Sequence, residues 1–295
     1  MKSSRALIAV IAPPALLTLA AAFLFALLPG ESRPGHVFTG APPARIISLS
    51  PSVTRMIADL GRAQSIVGVT AFDRPPHAGA RFIGTYIAPD AESILGLRPD
   101  IIVISSYDAA VQNTARLGLT GVPVHSFPRV RSRADIYRGY RELASLMDRS
   151  ALAEAKLAEY DLLIESAPRP AGKPRVGIFI AHEPLVAAGG GSFIDGIIRD
   201  AGCENSFGRL DAPYPIVSRE YLVALRIDVV ISIMEGAPEF FRGLFAQAPG
   251  PGPLKNDCIY SIDPDLICFY TPGDYARAVN DIARLSAGAC SNETR

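Results

Sequence analysis

The sequence predicts an α/β protein with two lobes, each built on a central parallel sheet, joined by a single long helix. Three observations support this class. Short apolar segments alternate with amphipathic helical segments, which is typical of parallel sheets. The alternation stops at a long helical stretch from Ser132 and resumes after Pro174. One stretch of the first half recurs in the second half, which indicates two similar lobes.

Size and charge narrow the classes of function. The chain has 295 residues and is 49% hydrophobic, enough for one large core or two cores of roughly 100 to 150 residues each. Lysine plus arginine equals aspartate plus glutamate, at 29 each. Because no net charge attracts the protein to polyanions, nucleic-acid binding is not expected.

The N-terminus has the pattern of an export signal. Lys2 and Arg5 precede an uncharged run over residues 6–28, and positive charge ahead of an apolar run directs export. The run is long enough to span a bilayer, and a cut at Ala20–Ala22 would leave an apolar start. We therefore assign residues 1–36 to a signal peptide or membrane anchor plus linker, with retention slightly favoured, and expect a location in the periplasm or at the cell surface.

The remaining chain divides into three parts. The first lobe, residues 37–131, reads in order as strand RIISLS, helix SPSVTRMIADLG, a strand at 65–70, helix AESILGL, strand DIIVIS, a helix near 111–117 and strand VPVHSF. The bridging helix is predicted over residues 132–169, with a weak point around residues 148–150, because Ser132 and Asp135 form a capping box and three prolines end the pattern. The second lobe, residues 170–295, resumes the alternation with strands RVGIFIA, IDVVISI and CIYSID and a terminal helix YARAVNDIARLS.

The cysteines lie in the C-terminal part of the chain, at Cys203, Cys258, Cys268 and Cys290. In an oxidising compartment they allow three complete pairings, and buried thiols are an equal alternative. The sequence does not choose among these.

An internal repeat is the most informative feature. AESILGLRPDIIVIS from Ala91 recurs as REYLVALRIDVVISI from Arg219, 128 residues later, which matches Glu92 with Glu220. A carboxylate in the first turn stabilises a helix by about 0.3 to 1 kcal/mol through the helix dipole, so a purely structural role is one explanation. Matching glutamates on two similar lobes also suit a partner that is itself two-fold symmetric.

A series of motifs carries a family resemblance over roughly residues 45–285. They are RIISLSPSVTRMIADLG with VGVTAFDRPP, then IGTYIAPDAESILGLRPDIIV, GSFIDGIIRDAGCEN and YPIVSREYLVALRIDVVI. In order and spacing the sequence resembles the helical-backbone class of periplasmic binding proteins, which serves ABC importers of vitamin B12, haem and ferric siderophores. The resemblance implies two Rossmann-like lobes bridged by one rigid helix, with ligand between them. It also implies that Glu92 and Glu220 dock on arginines of the importer's permease dimer.

The resemblance further implies a set of ligand contacts on loops after strands. These map to Ser50, Ser52, Phe72, Tyr86, His182 and Tyr214. Flat aromatic rings suit a corrin or porphyrin, although ordinary loop packing is the competing explanation. His182 reads as a haem or iron ligand, a hydrogen-bond donor or simply a polar loop residue.

We expect a monomer that binds a cobalamin-like corrinoid, with haem and ferric siderophores as alternatives, and no separate cofactor. The chain has no tryptophan, which cobalamin-binding members often use. At the position where many members have an arginine after proline, this chain has Gly273 after Pro272. An anionic siderophore would lack that positively charged contact. The four histidines are scattered, so a dedicated zinc or manganese site is not expected.

A membrane-anchored, glycosyltransferase-like enzyme is the competing class. Asp263-Pro264-Asp265 could hold a divalent metal against a nucleotide diphosphate, and the run Gly189–Gly191 could approach a phosphate. The glycine run lacks the Lys and Ser/Thr of a P-loop, however, and no GxSxG motif is present. The sequence therefore predicts a binding protein without catalytic residues.

Overall fold

The computed structural model describes residues 41–85, 87–105, 120–246 and 258–290, with side chains up to residue 288. The predicted anchor, Tyr86, the helix expected near 111–117 and the Cys290 side chain lie outside the described residues. Within those ranges, no helix combines the length and apolar character needed to cross a membrane.

The first lobe is built on a five-stranded parallel sheet. Its strand order is β3-β2-β1-β4-β5. The strands are β1 (Ile46–Ser48), β2 (Ile66–Val69), β3 (Arg81–Phe82), β4 (Ile101–Ser105) and β5 (Val124–Phe127). Helices α1 (Pro51–Asp59) and α2 (Ala91–Gly96) belong to the same lobe. β1 and β4 are apolar and fully buried, as expected for central strands covered on both faces.

The second lobe also has a five-stranded sheet. Strands β10, β9, β6 and β7 lie in that order, β8 pairs with β6, and only β7 runs antiparallel to its neighbour. The strands are β6 (Arg175–His182), β7 (Leu185–Ala187), β8 (Glu204–Asn205), β9 (Val229–Ser232) and β10 (Ile259–Ser261). The helices are α5 (Phe193–Asp200), α6 (Arg219–Ala224), α7 (Ala237–Phe245), α8 (Asp265–Cys268) and α9 (Pro272–Cys290).

The connection between the lobes differs from the predicted single long helix. It consists of α3 (Arg133–Leu146) and α4 (Ser150–Glu165), separated by a short break in which Asp148 has a φ of 53°. The Arg141 guanidinium meets the Glu154 carboxylate at 2.7 Å, and the Tyr137 hydroxyl donates to Asp161 at 2.8 Å. Residues so far apart in sequence touch only if the two helices are antiparallel, so the connection is a helical hairpin.

The internal repeat is present in the structure. Asp100 Oδ2 accepts the backbone N–H groups of Ala44 and Arg45 at 2.8 and 2.9 Å. Asp228 Oδ2 accepts that of Arg175 at 2.8 Å. Each aspartate therefore ties the start of an inner strand to the start of the lobe's first strand, which gives the repeated aspartates a structural role.

The largest buried cluster is shared by both lobes and the hairpin. Its members include Ile57 of α1, Tyr140 of α3, Ile197 of α5 and Val279 of α9. Two smaller clusters include Ile47 and Ile102 of the first sheet in one, and Phe179 and Val230 of the second sheet in the other. The lobes are thus joined by apolar packing as well as by the chain connection.

Candidate ligand-binding cleft

Segments that follow the carboxyl ends of strands in the two lobes touch each other. Ser50 and Ser52 follow β1 in the first lobe, and both contact Tyr270, which follows β10 and α8 in the second. In open parallel sheets, ligands bind beyond the carboxyl ends of the strands. The space between these ends, beyond β1 and β2 on one side and β6 and β9 on the other, is therefore the candidate cleft.

The two predicted serines lie where the lobes touch. The Ser50 hydroxyl lies 3.2 Å from that of Tyr270, and the backbone N–H of Tyr270 donates to Ser52 Oγ at 3.4 Å. The two serines are 1% and 3% exposed, respectively. Their hydroxyls thus meet the opposite lobe at the floor of the cleft, and their contact with ligand stays a prediction.

An ion-pair cluster reinforces the same contact. Arg55 of α1 lies 2.6 Å from the Asp265 carboxylate and 3.5 Å from that of Asp274, and its guanidinium stacks over the Phe269 ring at 3.9 Å. Asp274 is buried and also accepts a hydrogen bond from the Thr271 hydroxyl at 2.7 Å. We call Arg55, Asp265 and Asp274 the interlobe latch, because they join helices of different lobes.

A buried carboxyl group fixes the loop that presents Phe72. Asp73 is 8% exposed and accepts hydrogen bonds from Thr70 Oγ1 at 3.0 Å and from the Thr70 backbone N–H at 3.3 Å. Burial raises the pKa of Asp73 to about 6, against the opposing effects of hydrogen bonds from Thr54 and Thr70 and of the Arg55 charge. Sequence reasoning missed this residue, although it stands beside Phe72 in the segment TAFDRPP. Phe72 itself is 38% exposed, as a ligand-facing ring would be.

His182 ends β6 and lies against aromatic rings. Its Nε2 is 3.1 Å from Ser232 Oγ at the end of β9. The imidazole stacks on Phe240, with centroids 4.4 Å apart and planes 5° from parallel, and meets the edge of Phe241. Burial lowers the pKa of His182, partly offset by Glu183, so the ring is neutral near pH 7. Phe240, on α7, carried no signal in the sequence that would have linked it to His182.

The two predicted tyrosines have different outcomes. Tyr214 is 4% exposed and belongs to the large core cluster that both lobes share, and its contact with ligand stays a prediction. Tyr86 lies outside the described residues.

Glu92 and Glu220 both lie exposed in the first turns of α2 and α6. Asp90 caps α2 by accepting the Glu92 N–H at 3.2 Å, and Ser218 caps α6 by accepting the Tyr221 N–H at 3.1 Å. Hydrogen bonds from its own backbone N–H and from Ser218 lower the pKa of Glu220. Equivalent surface carboxylates therefore stand on the two lobes.

The features that suggested an enzyme have structural explanations. Asp263 accepts the backbone N–H of Asp265 at 2.9 Å, and Asp265 belongs to the interlobe latch. A Cβ atom on any of Gly189–Gly191 would lie 2.1 to 2.3 Å from a backbone carbonyl oxygen of the neighbouring loop. The glycines are thus required by close backbone packing rather than by a phosphate.

Cys268 is a free thiol, and burial raises its pKa to about 12. Each of the three complete disulfide pairings needs Cys268, so the structure disagrees with all of them.

Residues 46–242, more than half of the chain, match the periplasmic binding protein family. The chain belongs to the periplasmic binding protein family. This periplasmic binding protein is 24% identical over 237 residues to the vitamin B12-binding protein of Vibrio parahaemolyticus, covering 78% of the chain and 85% of that relative. It is 27% identical over 203 residues to a cobalamin-binding protein of Halobacterium salinarum, covering 64% of the chain and 54% of that relative.

Solved structures share the fold. The periplasmic heme-binding protein of Vibrio cholerae matches with a TM-score of 0.72 and 20% identity, over 82% of this chain and 98% of that one. The periplasmic vitamin B12-binding protein of the same organism matches with a TM-score of 0.69 and 19% identity, over 86% and 100%. The family and its relatives are substrate-binding proteins, so this protein is a binding protein and not an enzyme.

Proposed function

We propose that this periplasmic binding protein captures a cobalamin-like corrinoid between its lobes and delivers it to the permease dimer of an ABC importer. The observation that carries the proposal is the contact between segments that follow strand ends in the two lobes, held together by the interlobe latch and bordered by the exposed Phe72. The curated relatives named for vitamin B12 or cobalamin support the choice of ligand.

Aromatic rings from both lobes would hold the flat macrocycle in this proposal. Phe72 would contact it from the first lobe and the stacked His182 and Phe240 from the second. Tyr86 is assigned to the same site by its family position. Tyr214 and the two serines would act at the floor of the cleft. Rings bury large apolar areas with little loss of conformational entropy, which suits a rigid ligand.

Haem is the second candidate, and His182 is the observation that favours it. A neutral imidazole at the end of a strand has a lone pair available for iron, and four of the similar solved structures are heme-binding proteins by name. A ferric siderophore ranks lower because Asp274, a buried carboxylate, lies close to where the family has an arginine.

Glu92 and Glu220 are the proposed contacts with the permease, since they are exposed at equivalent places on the two lobes. We assign the protein to the periplasm, tethered by residues 6–28 where these are not cleaved. Both assignments rest on the family and on the sequence pattern of the N-terminus.

Titration with cyanocobalamin, haemin and a panel of ferric siderophores tests the ligand. The absence of tryptophan and the presence of ten tyrosines make tyrosine fluorescence the intrinsic signal, alongside ligand absorbance. We expect submicromolar binding of cyanocobalamin at one site. Tight binding of haemin alone, lost in His182→Ala, would replace cobalamin by haem. Binding of no compound in the panel would contradict the proposal.

A further inference from the structure

Each of the two repeated helices is preceded by an exposed isoleucine. Ile87 is 51% exposed and lies three residues before Asp90, the N-cap of α2. Ile216 is 58% exposed and lies two residues before Ser218, the N-cap of α6. A large apolar side chain is thus exposed shortly before each helix, although the two isoleucines do not align at the 128-residue offset of the repeat.

Hydrogen-bonded backbone holds both isoleucines at the surface. Ile87 lies within a turn closed by the Thr85 N–H donating to Ala88 at 3.3 Å, next to the pairing of Gly84 with Pro89. Ile216 pairs with Val186, beside the Val217 N–H that donates to Leu185 at 2.9 Å. Both side chains are therefore exposed on hydrogen-bonded backbone and not on a loose segment of chain.

A second large exposed apolar side chain lies close in sequence to each glutamate. Leu95 of α2 is 51% exposed, and Tyr221 of α6 is 41% exposed. Of the eight large hydrophobic side chains that are exposed in the described residues, four lie within five residues of Glu92 or Glu220 in sequence. Single exposed apolar residues are ordinary, whereas grouped exposed apolar residues next to charged ones mark interaction sites.

We propose that these two sets form the apolar part of one docking surface for a two-fold symmetric membrane permease. The N-terminal patch is Ile87, Glu92 and Leu95, and the C-terminal patch is Ile216, Glu220 and Tyr221. The inference rests on the proposed function and deepens it: each permease subunit would present an apolar recess beside a basic side chain. Charge complementarity selects the partner and speeds encounter, while buried apolar anchors slow dissociation.

The salt dependence of permease binding distinguishes the contribution of the glutamates from that of the apolar side chains. Attraction between exposed charges weakens as the Debye length shortens, whereas apolar burial is not screened. Replacing the glutamates should therefore weaken binding and flatten its dependence on salt. Replacing the isoleucines should weaken binding and leave the salt dependence as it is.

The experiment measures binding of the full chain to the cobalamin-, haem- and siderophore-type ABC permeases of the source organism, in nanodiscs without nucleotide. Four proteins are compared between 50 and about 500 mM NaCl: wild type, E92A/E220A, I87T/I216T and the control L162Q. Threonine keeps the β-branch of isoleucine. Leu162 is 66% exposed on α4, away from both patches. Melting temperature and circular dichroism confirm that each variant is folded.

We expect I87T/I216T to bind about tenfold more weakly at every salt concentration, with L162Q within about twofold of wild type. A tenfold change corresponds to 1.4 kcal/mol. If E92A/E220A loses binding and I87T/I216T does not, the proposed role of the apolar side chains is overturned and the proposed function stands. An equal loss in L162Q would also overturn them. If wild type binds none of the permeases, the proposed function fails and this inference fails with it.

Discussion

At the scale of single residues, the sequence supplied candidate positions but not their surroundings. Glu92, Glu220 and Phe72 are exposed, and their contacts with permease or ligand stay predictions. Ser50 meets Tyr270 across 220 positions of sequence, and such a contact leaves no local pattern. The burial of Asp73 depends on the loop packing around it in the same way. Residue types reveal what chemistry is available, whereas burial and partners come from the fold.

Asp73 should make stability depend on pH. Its folded pKa of about 6 lies above the ordinary aspartate value of 3.8, so the folded state binds more protons between these values, and stability falls as pH rises from about 4 to 6. The loss is at most about 2 to 3 kcal/mol. Asp73→Asn keeps an acceptor for Thr70 and cannot ionise. Urea denaturation at several pH values should show a flatter profile for D73N, and an unchanged slope would refute the assignment.

At the scale of elements, periodicity and capping were sufficient for the main helices and strands. The isoleucine-rich segments RIISLS and DIIVIS form β1 and β4, and the capping box at Ser132 starts α3. The break between α3 and α4 was visible only as a weak point, because the contacts that fold the hairpin are between helices. The short strands β3, β7 and β8 were missed, since strands of two or three residues depend on pairing more than on propensity.

The hairpin break offers a direct test at Asp148. Its φ of 53° is in the left-handed region, which glycine adopts without strain and β-branched residues resist. We expect Asp148→Gly to raise the free energy of unfolding by up to about 1 kcal/mol, and Asp148→Val to lower it by about 1 to 2 kcal/mol. Thermal denaturation measures both. If valine were tolerated as well as glycine, the chain would not turn at this residue.

At the scale of the whole molecule, a shared core and polar contacts join the lobes at the floor of the cleft. Asp274 is buried and depends on Arg55, Thr271 and Arg277 for compensation of its charge. The sequence predicted two lobes with a ligand between them. It gave no sign that α1 would be tied to the segment before α9, because Arg55 and its partners stand more than 200 positions apart.

Removal of the latch should loosen the lobes. Arg55→Ala leaves Asp274 with fewer partners, and losing one member of a partly buried pair costs about 1 to 3 kcal/mol. We expect faster hydrogen–deuterium exchange in residues 265–275 and in α1, with the two sheets unchanged. Arg55→Lys keeps the positive charge but lacks the planar guanidinium group, so its exchange rate should lie between those of wild type and Arg55→Ala. Equal exchange in all three proteins would show that the latch does not hold the lobes.

The order of the strands along the chain has a consequence for biosynthesis. The first sheet lies within residues 46–127 and the second within residues 175–261, whereas Arg55 meets Asp265 across 210 positions. Domains tend to form as units while the chain is being made, and contacts between distant positions form slowly. Arg55 is therefore made long before its ion-pair partner Asp265, so we expect the contact between the lobes to form late in folding, after each sheet has formed.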